Sequence, residues 1–513
     1  MRQCLTSDLG GYYTTNTPST GKDQFGTKGD FVTSPEISQI FGELIGVWVV
    51  AEWMAQGKRS EGVYLMEVGP GRGTLMDDML REQTIRNFPP LAKAVEAVYM
   101  IEASANLRLA QHKLLCGENN PLTENEIGHE SSSKHSPDLK IIWTEDIRFV
   151  PREADKTPFI IAHEFFDALP IHVFQAVAPP PTSQPNSETI QTPTGPIPNP
   201  NPTPTPPTRR LPPTNQWREL VISPIPPHRL KPTEPEFELT MAKSATPHSM
   251  YLPETSPRYQ ALKATQGATI EISPESQAYA RDLAERIGGS NPTTTRVSKQ
   301  QPKTRAAGAG KTVRSATAAT AAATTASEEA LVKPQPSGAA LIIDYGPPSS
   351  IPINSLRGIK SHQRVSPFLS AGTTDLSADV DFLALAEAAI NASPGVEVHG
   401  PVEQGRFLRG MGIEERAAQL VKRAVDRERG GGGGGGGGGV GREGRVEREE
   451  RNKGELTEIV KRVESGWKRL VDGGPQGMGR LYQVMAFVPF TPPVQGSGGV
   501  RRRPVGFGGD VAV

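Results

Sequence analysis

Residues 63–73, Val-Tyr-Leu-Met-Glu-Val-Gly-Pro-Gly-Arg-Gly, constrain the fold more than any other stretch of the chain. A short apolar run of this kind is a buried parallel strand. It carries an acid near its end, Glu67, and then a turn with glycines at alternate positions, Gly69, Gly71 and Gly73. The pattern that follows predicts a helix from about Thr74 to Arg81. Glycines let the backbone approach a ligand closely, and the helix N-terminus behind the turn favours polar or anionic groups. A doubly wound α/β domain holds a nucleoside-containing cofactor in this way, at the C-terminal edge of its strands.

Glycine spacing bears on which cofactor. The dinucleotide fingerprint is G-x-G-x-x-G, whereas here it is G-x-G-x-G preceded by Glu67-Val68. That disfavours a nicotinamide-dependent oxidoreductase. The form resembles the first motif of S-adenosylmethionine-dependent methyltransferases; the bland alternative is a glycine-packed strand–turn–helix corner. Further short apolar runs at Ala97–Ile101, Ile141–Trp143, Phe159–Ala162 and Ala339–Ile343, separated by helical stretches, imply a parallel sheet. Ser34-Pro35 reads as an N-cap with proline in the first turn, opening a helix whose apolar face is Ile37, Ile40, Phe41, Leu44, Ile45 and Trp48. Between the fourth and fifth strands lie Trp217–Ile222, Phe237–Thr240, Thr269–Ile272 and a helix from Pro274 to Ile287.

Proline and glycine are concentrated in segments with little to bury, which are expected to be disordered. The resulting organisation is 1–178 as the N-terminal part of the core, 179–213 as a Pro-rich disordered insert and 214–287 as an inserted β/α subdomain on the substrate side. Then come 288–337 as a disordered insert, 338–426 as the C-terminal part of the core, 427–453 as a Gly/Arg/Glu-rich disordered insert, 454–490 as the last core elements and 491–513 as a disordered tail. The 56 basic and 56 acidic residues balance, so no nucleic-acid partner is indicated. Cys4 and Cys116 have no metal spacing and fit a reducing compartment. No apolar run reaches ~18 residues, so no transmembrane helix is expected. Met1–Gly11 shows neither a signal-peptide core nor an amphipathic presequence.

Several residues are candidates for chemistry. Glu102 ends the second strand, where an acid accepts hydrogen bonds from ribose hydroxyls; otherwise it simply starts the next helix. Glu164 and Asp167 sit among Phe165, Phe166 and Leu169 just past a buried strand. They either cap the next helix and pair with an arginine, or hold the substrate or the cofactor, a carboxylate being the natural partner for a guanidinium through paired hydrogen bonds. The polar loop Gly26–Pro35, with Asp30, Thr33 and Ser34, is a candidate lid, and Asp344 and Tyr345 are placed to face the cleft. His163 and His172 have no metal-ligand spacing, so no metal is expected.

In this order the segments resemble the mitochondrial complex I assembly-factor methyltransferases, or MidA-type protein arginine methyltransferases. The matching blocks are GGYYTT (10–15), GTKGDFVTSPEISQIFGELIGVW (26–48), MEVGPGRGTLMDDMLR (66–81), AHEFFDALPIHVFQ (162–175), WREL (217–220), IDYG (343–346), SAGTTDLSADVDF (370–382) and GPVEQGRFLRGMGI (400–413). The resemblance implies a Rossmann-like seven-stranded methyltransferase core and S-adenosyl-L-methionine as cofactor. It also implies symmetric dimethylation (type II) of an arginine on a complex I core subunit, in the mitochondrial matrix, during assembly. In it Glu67, Gly69, Gly71, Gly73 and Glu102 fall in cofactor motifs, with Glu164 and Asp167 in the acidic-aromatic motif. The family usually has a helix pair and targeting segment ahead of GGYY, and this chain is expected to start partway into that region. A non-catalytic assembly chaperone on a methyltransferase fold is the alternative reading.

Overall fold

Val63–Val68 lies at the centre of a nine-stranded sheet. Its order is Val396–Glu403, Tyr482–Pro489, Ala339–Tyr345, Thr157–His163, Val63–Val68, Val95–Ile101, Lys140–Thr144, Gly128–Ser132, Thr123–Asn125. This is a computed structural model, and it describes residues 1–7, 9–14, 24–26, 29–81, 85–179, 189–192, 194–198, 214–231, 234–292, 331–431, 442–492 and 502–508. From Ala339–Tyr345 to Lys140–Thr144 the strands pair in parallel. Tyr482–Pro489 runs antiparallel between Ala339–Tyr345 and Val396–Glu403. The first seven strands of that order are the expected Rossmann-like methyltransferase core. The hairpin Thr123–Asn125/Gly128–Ser132 extends its edge antiparallel to Lys140–Thr144.

Parallel strands covered on both faces must be apolar throughout, and Val63–Val68 and Thr157–His163 are buried at every position. Alternate side chains feed two cores. Val63 and Leu65 join Trp48, Phe41 and Leu470 on one face; Tyr64 and Met66 join Leu283, Ile287 and Phe382 on the other. Strand order reverses between Val63–Val68 and Thr157–His163, which opens a crevice at their carboxyl ends. Register brings Val68 beside Ala162 and Ile343 beside His163, so Gly69, Glu164 and Asp344 emerge together.

A second, antiparallel sheet carries the strands Phe237–Met241, Gln216–Pro224, His172–Val177 and Thr269–Ile272, in that order. The inserted subdomain therefore starts earlier than the expected boundary at 214, because His172–Val177 is its shared inner strand. It also ends sooner: the helix Pro274–Gly288 buries Ala280, Leu283, Ala284 and Ile287 against the main sheet.

Other expectations need correction. The N-cap is Thr33 rather than Ser34: Glu36 Oε2 accepts from the Thr33 backbone N–H at 3.1 Å, closing a capping box. The helix breaks at Ser38, whose hydroxyl caps Gln39–Ala55 by accepting from Ile40 N–H. Within 179–213, an antiparallel pair Thr189–Thr192/Gly195–Pro198 forms around a turn at Gly195. The ends of 288–337 are ordered: Lys333 is buried and its ammonium donates to the carbonyls of Lys156, Arg286 and Ser337. Helices Ile413–Gly431 and Arg442–Val471 run into 427–453 from both sides, since Arg, Glu and Lys are good helix formers. In the tail, Val505 and Phe507 are buried, with Phe507 packed on Phe407 at 5.6 Å. The rest of these four segments lies outside the described residues.

Candidate functional site

The glycine turn needs its glycines for two reasons. All three have positive φ, +67° at Gly69, +53° at Gly71 and +82° at Gly73. A Cβ at Gly69 would also lie 2.6 Å from the Phe165 ring. Gly73 is the N-cap of Thr74–Leu80, so the turn delivers backbone N–H groups at a helix start. Facing it is a cavity of about 310 Å³, whose walls include Phe25, Glu36, Glu67, Glu102, Glu164 and Tyr279.

Glu36 in this wall lies 3.4 Å from Arg72 Nη1, whereas burial raises the carboxyls of Glu67, Glu102 and Glu164. Glu67 is fully buried, and one oxygen, Oε2, has no partner among the described residues. Burial pushes its carboxyl up to about 8, opposed by the Met76 N–H and aided by Glu102. Glu102 accepts from Ser104 N–H at 2.8 Å and from Gln111 Nε2 at 3.3 Å. Burial still pushes it up to about 7. Gln111 in turn donates to the Gly71 carbonyl at 2.6 Å, tying the strand-end acid to the glycine turn.

Glu164 holds the most unusual backbone of the site, with φ of +51° in a residue that is not glycine. Such strain persists only where the surroundings over-determine it. Here Asp344 supplies that constraint. Its buried carboxylate accepts from the backbone N–H groups of Phe165 at 3.1 Å, Phe166 at 2.7 Å and Tyr345 at 2.8 Å, fixing the chain just after Glu164. The Glu164 side chain lines the cavity, and its Oε1 accepts from the Tyr482 hydroxyl at 2.9 Å. The hydroxyls of Tyr482 and Tyr345 are hydrogen-bonded to each other. Burial, then the neighbouring Asp167, push the Glu164 carboxyl up to about 8. His163 approaches Glu164 Oε1 at 3.4 Å, but burial drops its pKa to about 3. The imidazole is therefore neutral near pH 7, and the contact is not an ion pair.

The expected site residues divide into three groups. Glu67, Gly69, Gly71, Glu102, Glu164 and Thr33 line the cavity, with Gly73 at the helix start behind it. Asp167 and Asp344 do not line it. Asp167 accepts from Ser377 Oγ at 2.9 Å, and its carboxyl is raised by burial and pulled back by Arg357. Asp344 is a clamp beneath the loop rather than a cleft residue, and Tyr345 reaches the site only through Tyr482. Ser34 is buried as the first residue of the short helix Ser34–Ile37, and its backbone N–H is hydrogen-bonded to Glu164; Asp30 accepts from Tyr12 Oη at 2.7 Å and from Ser361 N–H at 2.7 Å, joining the lid loop to the turn at 361. Thr27 and Lys28 of the lid loop lie outside the described residues. Tyr482 and Tyr279 had no signal in the sequence, because Tyr482 is 318 residues from Glu164 and carries no motif.

A family of S-adenosyl-L-methionine-dependent methyltransferases has a sequence model that matches residues 44–402. The protein arginine methyltransferase NDUFAF7, mitochondrial, of Rattus norvegicus is 31% identical over 431 residues, covering 83% of this chain and 72% of that protein. The homologue of Drosophila melanogaster is 30% identical over 490 residues, covering 95% and 80%. Among solved structures, a superfamily member from Burkholderia thailandensis crystallised with S-adenosyl-homocysteine aligns with a TM-score of 0.53 at 17% identity, over 95% of this chain and 86% of that one. A native structure of a protein of the same superfamily, also from Burkholderia thailandensis, gives a TM-score of 0.54 at 16% identity, over 99% of this chain and 88% of that one. These two likenesses concern the fold.

Proposed function

The chain belongs to the family of S-adenosyl-L-methionine-dependent methyltransferases, and from that premise we propose that it methylates arginine on a protein. We further propose that the product is symmetric dimethylarginine on a mitochondrial complex I core subunit, made in the matrix during assembly. The relatives named as mitochondrial protein arginine methyltransferases support the arginine reading and the compartment. The observation that carries it is the pairing, on one cavity, of the glycine turn with Glu164, a buried acid held in a strained backbone and short of positive charge.

The cavity suits the cofactor. The turn at Gly69–Gly73 leaves backbone open where a Cβ would obstruct, Glu67 Oε2 awaits a donor, and Glu102 stands at the strand end where ribose hydroxyls bind. When bound, S-adenosylmethionine supplies a methyl group on a cationic sulfonium. The chain's own residues do the rest. Phe25, Phe165 and Tyr279 wall the cavity and exclude water. Glu164, held by the Tyr482 hydroxyl, accepts hydrogen bonds from a guanidinium and localises its charge away from the attacking nitrogen. A free guanidinium stays protonated, with a pKa above ~12. Glu164, in contact with the guanidinium, is placed to take up the proton released as the nitrogen is methylated and the cofactor's sulfur becomes uncharged.

The test uses the full chain with methyl-labelled S-adenosylmethionine and isolated complex I core subunits. Label should appear in symmetric dimethylarginine, and Glu164→Gln should cut turnover roughly 100-fold or more while S-adenosyl-homocysteine still binds. Label on a residue other than arginine would overturn the substrate reading. Full turnover by Glu164→Gln would remove Glu164 from the chemistry.

A further inference from the structure

Away from the cavity, the second sheet gathers three side chains that are far apart in sequence. His172 opens the strand His172–Val177, Glu219 lies in Gln216–Pro224, and His248 lies in the short helix Pro247–Tyr251. Both imidazoles approach the same carboxylate oxygen: Nδ1 of His172 is 2.7 Å from Glu219 Oε1, and Nδ1 of His248 is 3.9 Å from it. The two rings are 4.3 Å apart between centroids, and one ligating atom from each of the three residues lies within 4.8 Å of the others. Glu219 is largely buried, and its second oxygen accepts from the Thr246 hydroxyl.

We propose that His172, Glu219 and His248 form a zinc-binding site on the inserted sheet, with Thr246 orienting the carboxylate. Geometry favours this. Tetrahedral zinc with ligands at ~2.0–2.1 Å needs ligand atoms ~3.3 Å apart. The two nitrogen–oxygen distances here, 2.7 and 3.9 Å, fall on either side of that spacing. Changes of about 0.6 Å, one contact opening and the other closing, bring both distances to that spacing, and His248 is exposed on a short helix. Two imidazoles and one carboxylate suit a borderline ion such as zinc, whereas calcium and magnesium prefer all-oxygen shells. Three protein ligands leave a fourth position for water. The hydroxyl on the outer carboxylate oxygen is the outer contact that orients a metal-binding acid.

The position gives the ion a role. His172 follows Pro170, which lines the cavity, by two residues, and pairs in register with Ile272, just ahead of the helix that brings Glu275 and Tyr279 to the cavity. An ion here pins Pro247–Tyr251 to the sheet and stiffens the base of two cavity-wall segments. Linear spacing concealed the cluster, so the expectation of no metal followed from sequence distance alone.

The experiment strips the full chain with a chelator and titrates it with zinc against a chromophoric competitor, using cobalt(II) absorption as the coordination signature. The wild-type chain should bind one equivalent and give a low-coordinate cobalt spectrum. His248→Ala changes an exposed residue and should fold; it should weaken binding by roughly 100-fold and abolish that spectrum, and Thr246→Val should weaken it by about 10-fold. The chain has nine histidines, so binding elsewhere is separable: equal affinity in wild type and His248→Ala would overturn the site. Absence of binding by the wild-type chain would leave only a His172–Glu219 hydrogen bond and overturn it equally.

Discussion

Substituting Gly69 by alanine tests whether the glycine turn is shaped by the wall it faces. Two separate costs follow from the structure. Gly69 has φ of +67°, and an L-residue in the left-handed region costs roughly 1–2 kcal/mol. The added methyl would also lie 2.6 Å from Phe165 Cδ2 and 3.3 Å from its Cβ and Cγ. That ring cannot swing away freely, because it packs edge-on against Tyr279 at 4.8 Å and Phe166 at 5.5 Å. Overpacking of this kind costs about 1–3 kcal/mol. The substitution should therefore destabilise the fold by about 2–5 kcal/mol, a large share of a typical total. Urea denaturation followed by circular dichroism and tryptophan fluorescence measures it. Repeating it in a Phe165→Ala background removes the steric part and leaves the backbone part, so a coupling of about 1–3 kcal/mol is expected between the two positions. S-adenosyl-homocysteine affinity should fall in Gly69→Ala, since both residues line the cavity. An identical cost in the two backgrounds, or a loss below about 0.5 kcal/mol, would refute the account.

Three further outcomes are expected. Glu102→Ala should weaken S-adenosyl-homocysteine binding by roughly one to two orders of magnitude through loss of charge-assisted hydrogen bonds, with Glu102→Asp intermediate; calorimetry reads it, and unchanged affinity in a folded Glu102→Ala protein rules out the ribose role. Glu67 and Glu164 are raised to about 8 and Glu102 to about 7, so the unliganded fold holds protons that the unfolded chain has released by neutral pH. The stability these three groups contribute is therefore fully present below their ordinary 4.5 and is lost as pH rises through about 8. A cationic ligand reverses this preference, so affinity for S-adenosylmethionine relative to uncharged-sulfur S-adenosyl-homocysteine should rise at least ~3-fold between about pH 6 and 8.5; a flat ratio counts against the acid wall. Phe507→Ala should lower stability by about 3 kcal/mol in the same urea assay, and no change would mean that the tail does not pack on Phe407.

Much of the fold was legible because its signals are local. An apolar run ending in alternating glycines can only be a few things, and the five central strands follow from runs that stay apolar on both faces. Glu102 and Glu164 were legible because each follows such a run. What escaped depends on contacts between distant segments. Asp344 looked like a cleft residue, and only the backbone N–H groups of Phe165 and Phe166 show that it clamps the loop instead. Asp167 shares a motif with Glu164 but turns to Ser377, in the short strand Asp375–Ser377, 210 residues away. Val505 and Phe507 are two apolar residues in a Gly- and Arg-rich tail, too sparse to register as a core contribution. Composition judged the segment, whereas packing is decided residue by residue.

The last main-sheet strand enters between two earlier ones and brings the hydroxyl that Glu164 requires. Ribosomes release the chain from its N-terminus at roughly 5–20 residues per second. The glycine turn, Glu102 and Glu164 all emerge long before Tyr482. Until it arrives, Ala339–Tyr345 has an unpaired edge, Val396–Glu403 has no strand partner in the sheet, and the strained glutamate lacks its hydroxyl. The nascent protein is thus a lock whose final pin is cut last. Any product terminated ahead of Tyr482 exposes the edge of Ala339–Tyr345, leaves Val396–Glu403 unpaired and lacks the hydroxyl that Glu164 accepts from.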